Sequence, residues 1–347
     1  FLLTHATHAW KEAAFSGSSW WGMWPMGGAW STAHVMEHYR FTQDRDYLRQ
    51  TAYPILKDNV AFCLNWLVEH PETGNLVSGP SASPENAFYI DEKMFMACMG
   101  PTVDQMIVYE SFTDLLEAAS VLEIEDEFVD EVRQARDKLA RPQIAKDGRI
   151  MEWDREYKEW RIGHRHFSHL YGLHPGCEIT PEKTPKLFEA AGKSVHTRLD
   201  NGGAAHGWSR GHAINLLARL HEGDEAYQSV CRILSHNTLP NLMHKQPPIF
   251  FDGNGAGTAG IAEMLLQSHG PEGIIQLLPA LPDAWKDGSF HGLCARGGFA
   301  VDIEWKDGRI TNAVIHSKVG GPCTVRYGDK LIELDAKPGE DCDIDVN

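Results

Sequence analysis

The sequence predicts a mainly α fold that closes on a small β-sandwich. Three observations predict it. Apolar residues recur at helical spacing up to about residue 269, with no strand pattern alternating between the helical runs. Around Leu277 the texture changes to short runs of alternating apolar and polar residues. The segments between the helical runs are long and hold most of the Trp, His and Gly, which is where a helical scaffold carries function.

Residues 1–30 read as a loop leading into a helix and contain Trp10, Trp20, Trp21, Trp24 and Trp30. A helix is expected over 28–42. Asp44 is placed to cap the next, which carries Leu48, Tyr53, Ile55, Leu56, Val60 and Leu64 at helical spacing to about Glu69, with Pro54 kinking or splitting it. A loop is expected over 71–100, then helices over 102–122, capped by Thr102, and 126–140. Further helices are expected over 183–198, 208–221, 224–236 and 258–269, with loops at 141–180, 200–206 and 238–257. The β part shows runs over 299–305, 310–315, 323–327 and 331–334, with Asp307-Gly308 as a hairpin turn. The expected division is a helical domain over 1–275 and a β domain over 276–347.

Composition excludes several classes. A formal charge of -16 argues against nucleic acid, which needs a basic stripe. The seven cysteines, Cys63, Cys98, Cys177, Cys231, Cys294, Cys323 and Cys342, form no CxxC pair, so neither a zinc site nor a disulfide framework is indicated. No stretch is long and apolar enough for a membrane-spanning helix. No signal peptide is visible, and the opening Phe-Leu-Leu-Thr-His reads as mid-chain sequence, so the chain is expected to be truncated at its start.

Three motifs point elsewhere. His34-Val-Met-Glu37-His38 matches H-x-x-E-H on a helix, but no downstream carboxylate is clearly placed as a third zinc ligand. Gly255-Ala-Gly257-Thr-Ala-Gly260 matches G-x-G-x-x-G, but Pro247-Pro248 interrupts the approach and the βαβ alternation is missing. A flexible loop that lets a ligand approach the backbone is the reading preferred there. His164-Arg165-His166-Phe-Ser-His169 lacks Cys or Glu at metal spacing. An Arg between two His suits a hydroxylated or anionic group, set against a plain loop with buried, hydrogen-bonded histidines. No metal and no cofactor are expected.

A sugar offers hydroxyls at its edges and C–H groups on its faces, so its site needs aromatic rings with His, Arg, Asn, Asp and Glu around them. The loops supply that mixture in Trp20-Trp21-Gly-Met-Trp24-Pro25, Ser83-Pro84-Glu85-Asn86-Ala-Phe88-Tyr89, Glu152-Trp153-Asp154, His164-Arg165-His166 and Phe250-Phe251-Asp252-Gly-Asn254. Glycoside cleavage commonly uses two flanking carboxyl systems. Glu85 and Asp252 stand out because each is expected in a loop beside Pro, Gly and aromatic residues rather than on a charged helix face. Phe88 and Tyr89 are expected to shield Glu85 from water, as a general acid near neutral pH requires.

Several strings resemble glycoside hydrolase family 95. They are Trp24-Pro-Met-Gly-Gly-Ala-Trp30, Glu37-His-Tyr39, Ser83-Pro-Glu-Asn86, His164-Arg-His-Phe-Ser-His-Leu-Tyr-Gly172, Asp252-Gly-Asn254 and Thr258-Ala-Gly-Ile-Ala-Glu-Met-Leu-Leu-Gln-Ser268, with Leu278-Pro-Ala-Leu-Pro282 and Ala295-Arg-Gly-Gly-Phe299. They fall in the family's order and cover nearly the whole chain. The resemblance implies an (α/α)6 barrel, here lacking its first helices, followed by the C-terminal β domain. It implies inverting α-1,2-L-fucosidase activity, or α-L-galactosidase activity in some members, on an oligosaccharide or polysaccharide glycan. Alternate helix junctions of such a toroid surround one mouth, which would gather the loops above.

Residue by residue, Glu85 matches the family's general acid. Asp252 matches the carboxylate that polarises a water-activating asparagine, and the two carboxyls are then expected roughly 6.5–9.5 Å apart. Arg165 and His166 match sugar-contacting residues, and Trp24, His5, Asn86 and Asn254 are further expected substrate contacts. The family's Asn-x-Asn run lies N-terminal to everything in this chain, so the isolated chain is expected to be inactive or to act as a carbohydrate-binding fragment. The resemblance is loosest over residues 4–10, where His8 stands in place of an acidic residue or Asn. That segment borders the sugar pocket and bears on which sugar is accepted. A bacterial extracellular or periplasmic location is expected for the full-length protein.

Overall fold

Gly27–Thr42 forms the first helix among the described residues (α1), burying Ala29, Thr32, Met36 and Tyr39 on one stripe. The computed structural model describes residues 6–7, 13–14, 24–245, 251–270 and 273–345. The chain divides into two units, one made of Phe1–Tyr39, Asp44–Ile179 and Thr184–Ser194, the other of Arg40–Gln43, Thr180–Lys183 and Val195–Asn347.

In the first unit Asp44 caps as expected, its carboxylate accepting the Tyr47 N–H at 2.9 Å, but it caps only the turn Arg45–Tyr47. A π-helical turn, Leu48–Ala52, follows, and then α2, Tyr53–Trp66. The segment therefore splits just ahead of Pro54, which sits in the first turn of α2, where its missing N–H had no helical partner. The helix stops at Trp66 because Leu67–Glu69 (β3) pairs with Leu76–Ser78 (β4).

α3 spans Thr102–Leu122 and α4 spans Glu127–Lys138. Thr102 is not the cap of α3: Pro101 holds that position, and the Thr102 hydroxyl donates to the Met151 carbonyl at 2.6 Å. Asp126 caps α4 by accepting from Val129 N–H. Leu56, Val60 and Cys63 of α2, Phe112 and Leu115 of α3, and Val129 and Val132 of α4 are buried. Each large side chain so buried contributes about 1.5–3 kcal/mol of hydrophobic stabilisation.

The expected loop over 71–100 contains more order than its sequence showed. Beyond β4, Ser81–Ala82 (β5) pairs with Ala97–Cys98 (β8), and Phe88–Ile90 (β6) lies between Lys93–Phe95 (β7) and Lys158–Glu159 (β9). A two-residue pair near the N-terminus, Ala6–Thr7 (β1) with Ala13–Ala14 (β2), is antiparallel. Strands this short carry too few residues to show a period of two.

α5 spans Pro185–Asp200. In the second unit follow α6, Gly207–Arg219, α7, Gly223–His236, and α8, Asp252–Leu265. α8 begins six residues earlier than expected, so the Gly-rich run is helix rather than loop. Of its glycines Gly260 serves packing, with Gly211 of α6, while Gly255 faces open space. A Cβ on Gly260 would lie 2.4 Å from Ile214 Cγ2, and one on Gly211 would lie 2.7 Å from the Ala256 Cβ. The small residues let α6 and α8 approach closely.

Leu266–Gln267 (β10), Ile275–Leu277 (β11), Gly321–Tyr327 (β15) and Lys330–Ala336 (β16) form one four-stranded sheet. Gly288–Ala295 (β12), Phe299–Lys306 (β13), Arg309–Ser317 (β14) and Asp341–Asp343 (β17) form the other. One core joins them, built from Ile275, Leu277, Val301, Ile303, Trp305, Ile315 and Val325 among others. Along β13, Val301, Ile303 and Trp305 are buried while Glu304 and Lys306 are exposed, the alternation read in the sequence. Asp307 (φ 51°) and Gly308 (φ 71°) turn the β13–β14 hairpin with both residues left-handed, as a type I′ turn requires. The β structure thus starts at Leu266, ten residues before the expected boundary. All seven cysteines are free thiols. Among the described residues no helix is long and apolar enough to cross a membrane.

Candidate active site

Glu85 stands on a tight turn fastened at both ends. β5 leads into it and β6 leads out. Asn86 N–H closes the turn on the Ser83 carbonyl at 2.9 Å, and the Trp160 N–H reaches the Ala87 carbonyl at 2.8 Å. The Pro84–Glu85 peptide is cis. Ser83 and Asn86 are fully buried, and both reach one carboxylate. Ser83 Oγ donates to Glu152 Oε1 and Asn86 Nδ2 donates to Glu152 Oε2, each at 2.8 Å. The Ser168 hydroxyl donates to the Pro84 carbonyl. Glu152 is itself buried, its carbonyl accepting from Thr102 N–H at the start of α3.

The Glu85 side chain is a quarter exposed. Arg165 donates to its Oε2, and His166 Nε2 lies 3.9 Å from the same oxygen. The 164–166 segment is shaped from within. The buried His164 accepts the His166 N–H on Nδ1 at 3.2 Å, and the two imidazoles stack with centroids 5.3 Å apart. Arg165 Nη1 lies 3.3 Å from His164 Nε2. The structure thus brings Glu85, Arg165 and His166 together.

The two aromatic residues expected beside Glu85 have packing partners of their own. Phe88 is buried against Trp153 and Tyr157, with centroid distances of 5.1 and 4.1 Å, and Tyr89 faces the Lys158 ammonium. Adjacent in β6, the two rings lie on opposite faces of the strand. Asn86 is likewise placed as a brace. Its amide donates to Glu152 and its carbonyl accepts the Ala87 N–H, leaving it no surface for a ligand.

Trp24 is half-buried, and its Nε1 donates to Asp104 Oδ1 at 2.9 Å. Ser78 Oγ donates to Asp104 Oδ2 at 2.6 Å. Complete burial pushes the Asp104 carboxyl up to about 6, against the pull of these hydrogen bonds. His5 lies outside the described residues.

Asp252 and Asn254 belong to the second unit. Asp252 is an exposed residue in the first turn of α8, not a loop carboxylate, and a negative charge there suits the helix dipole. Asn254 pins the preceding loop, donating to the Leu242 carbonyl at 2.7 Å and accepting from His244 N–H at 3.0 Å.

His34 and His38 are exposed on α1, and among the described residues no third ligand clusters with them. His196, Glu222 and Glu225 do lie within 4.8 Å of one another, as a partly exposed ion-pair cluster. Sequence reading missed the role of Glu152 in binding the Glu85 turn. The pairing spans 66 to 69 residues and leaves no local pattern.

Residues 1–265 match the glycosyl hydrolase family 95 catalytic domain, and residues 267–344 match the glycoside hydrolase family 95 C-terminal domain. The chain belongs to glycoside hydrolase family 95. It is 37% identical over 314 residues to alpha-L-fucosidase 2 of Arabidopsis thaliana, covering 86% of this chain and 36% of that protein. It is 29% identical to the probable alpha-fucosidase A of Aspergillus niger, covering 84% of this chain and 39% of that protein. The chain therefore spans little more than a third of the length of these relatives. Among solved structures, a putative kojibiose phosphorylase from human microbiome aligns with a TM-score of 0.56 at 10% identity, over 92% of this chain and 50% of its own. An alpha-L-rhamnosidase of Streptomyces avermitilis aligns at 0.51 and 11%, over 94% of this chain and 33% of its own. At these identities the likeness is one of fold alone.

Proposed function

We propose that this chain carries most of the catalytic region of an inverting glycosidase that removes terminal α-L-fucosyl residues from glycans. Its helices would form part of an (α/α)6 barrel, with the C-terminal β domain beginning near residue 266. The observation that carries the reading is Glu85, held on a braced turn with its carboxylate against Arg165 and His166. A proton donor needs fixed geometry, and a guanidinium and an imidazole beside it offer hydrogen bonds to the hydroxyls of a sugar. The family membership and the names of the two relatives support the sugar class.

In this mechanism Glu85 protonates the glycosidic oxygen as the bond to the anomeric carbon breaks. A water attacks the opposite face, losing its proton as the new C–O bond forms. Arg165 and His166 hold sugar hydroxyls, and Trp24 serves as a further sugar contact. Asp252 orients the amide that activates the water.

The experiment is product analysis with the protein at its full natural length, on 2′-fucosyllactose and on an α-L-galactoside. Release of β-L-fucose from 2′-fucosyllactose is expected, and Glu85→Gln should lower turnover on this poor leaving group far more than on an activated aryl fucoside. Equal losses on both substrates would reduce Glu85 to a structural carboxylate. Preferential release of galactose would move the activity to the galactosidase members.

A further inference from the structure

We propose that Glu152 is the positioning residue of the Glu85 acid, holding the turn on which it stands. The inference rests on the reading of Glu85 as general acid. Ser83 and Asn86, which lie two before and one after Glu85, both donate to the Glu152 carboxylate. Each binds a different oxygen at 2.8 Å, and the buried His169 has its Nδ1 4.0 Å from Oε2. Ser83 and Asn86 have no solvent exposure, and Glu152 has 5%. Water therefore cannot substitute for either bond, and a turn released from Glu152 would leave two buried donors without acceptors.

Glu152 is a firm anchor for a second reason. Its own backbone is tied to the start of α3. Thr102 N–H donates to the Glu152 carbonyl at 3.1 Å, and the Thr102 hydroxyl donates to the neighbouring Met151 carbonyl at 2.6 Å. Trp153, next in the chain, packs on Phe88 at the exit of the turn. Glu152 thus transmits the position of a long helix to both sides of Glu85. The side chain of Glu85 is the part of the turn that projects toward Arg165 and His166.

The charge of Glu152 is not what the role needs. It needs a buried hydrogen-bonding partner for each neighbour. A glutamine keeps both contacts, accepting from Asn86 with Oε1 and donating to Ser83, whose hydroxyl turns to accept. Asn86→Asp, by contrast, sets two carboxylates against each other. Asn86→Asp combined with Glu152→Gln restores the pairing in reverse, with the glutamine amide donating across and its oxygen accepting from Ser83.

The test uses the protein at full natural length and compares 2′-fucosyllactose with an activated aryl fucoside that needs no protonated leaving group. Glu152→Ala is expected to lower kcat on 2′-fucosyllactose by roughly 100-fold, with KM changed by less than about threefold, since misplacing a reacting group by about 1 Å has that effect. On the aryl fucoside the loss should stay within about fivefold. Glu152→Gln should remain within about tenfold of the parent on both. Asn86→Asp should show the selective loss, and Asn86→Asp/Glu152→Gln should recover at least about tenfold of it. This pair decides the matter if Glu152→Ala does not fold. Glu85→Gln is run alongside. If Glu85→Gln shows the leaving-group dependence but Glu152→Ala lowers both substrates alike, or the double variant is no better than Asn86→Asp, Glu152 is a structural residue only. If Glu85→Gln shows no such dependence, the reading of Glu85 itself falls, and the positioning role with it.

Discussion

Arg165 lays its guanidinium on the Glu85 carboxylate, joining two turns that are 80 residues apart in sequence. Neither side chain is sealed from solvent, with a third of Arg165 and a quarter of Glu85 exposed. Such a pair adds little to stability, so its value lies in placement. The guanidinium is a planar fork that lysine does not reproduce. Arg165→Lys is expected to lower kcat/KM on 2′-fucosyllactose by roughly tenfold, and Arg165→Ala by roughly 100-fold, at nearly unchanged thermal stability. If steady-state kinetics put Arg165→Ala within twofold of the parent, the contact is an ordinary surface ion pair.

Asp104 gives the first unit a pH dependence of definite sign. Its carboxyl ionises at about 6 in the fold against an ordinary 3.8, because it is fully buried. The folded protein therefore holds the proton more tightly than the unfolded chain. The stability this confers is fully present below about pH 4 and is lost as pH rises through about 6. The difference corresponds to something on the order of 3 kcal/mol. Asp104→Asn removes the titration while keeping Trp24 and Ser78 paired, since the Ser78 hydroxyl can turn to accept. Urea unfolding at pH 4, 5, 6 and 7 should show the parent losing stability relative to Asp104→Asn across that window. Parallel curves for the two proteins would show that Asp104 does not titrate there.

The helices and the β13–β14 hairpin were legible because each declares itself locally. The apolar stripe of α4 and the Asp307-Gly308 turn need only a window of a few residues. The strands β3 to β9 were not legible, since two or three residues cannot establish a period. Asp252 and the Gly-rich run after it look like loop by composition. They are helix because Gly211 and Gly260 let α6 and α8 come together, and that packing outweighs the weak helix propensity of glycine. At the site, Glu85, Arg165 and His166 were readable as chemistry, but Glu152 was not. A carboxylate that matters through two distant donors looks, in sequence, like any of the 48 acidic residues.

Arg219 is a buried cation of the second unit whose partner has a measurable value. Its side chain is 2% exposed and meets Glu263 on two atoms, Nε to Oε2 at 2.6 Å and Nη2 to Oε1 at 3.0 Å. Removing one member of a buried pair takes away charge compensation and costs up to about 3–5 kcal/mol. Glu263→Ala is expected to destabilise at the lower end of that range, because Glu263 is itself one-fifth exposed. Replacing both residues by methionine should recover most of the loss, since the attraction of a buried pair is largely offset by desolvation. Equilibrium unfolding of the two single variants and the double would measure the coupling directly. A strictly additive result would mean the pair contributes nothing beyond its separate residues.

Gly260 separates a packing glycine from a ligand-binding one. It is buried in α8, and an added Cβ would lie 2.4 Å from Ile214 Cγ2 and 2.9 Å from Ile214 Cβ. Alanine would gain about 1 kcal/mol of helix propensity at this position. The contact opposes it: Ile214 is fully buried and β-branched, so its side chain has no alternative rotamer to retreat to. Overpacking of this kind costs about 1–3 kcal/mol, and α6 and α8 must move apart to relieve it. Gly260→Ala is therefore expected to be net destabilising by roughly 1–2 kcal/mol, seen as a lower Tm. The decisive comparison is in the Ile214→Ala background, where the 2.4 Å obstruction by Cγ2 is gone and only the 2.9 Å approach to Cβ stays. There the penalty of Gly260→Ala should shrink by at least about half. An equal penalty in both backgrounds would show that the glycine is needed for something other than room beside Ile214.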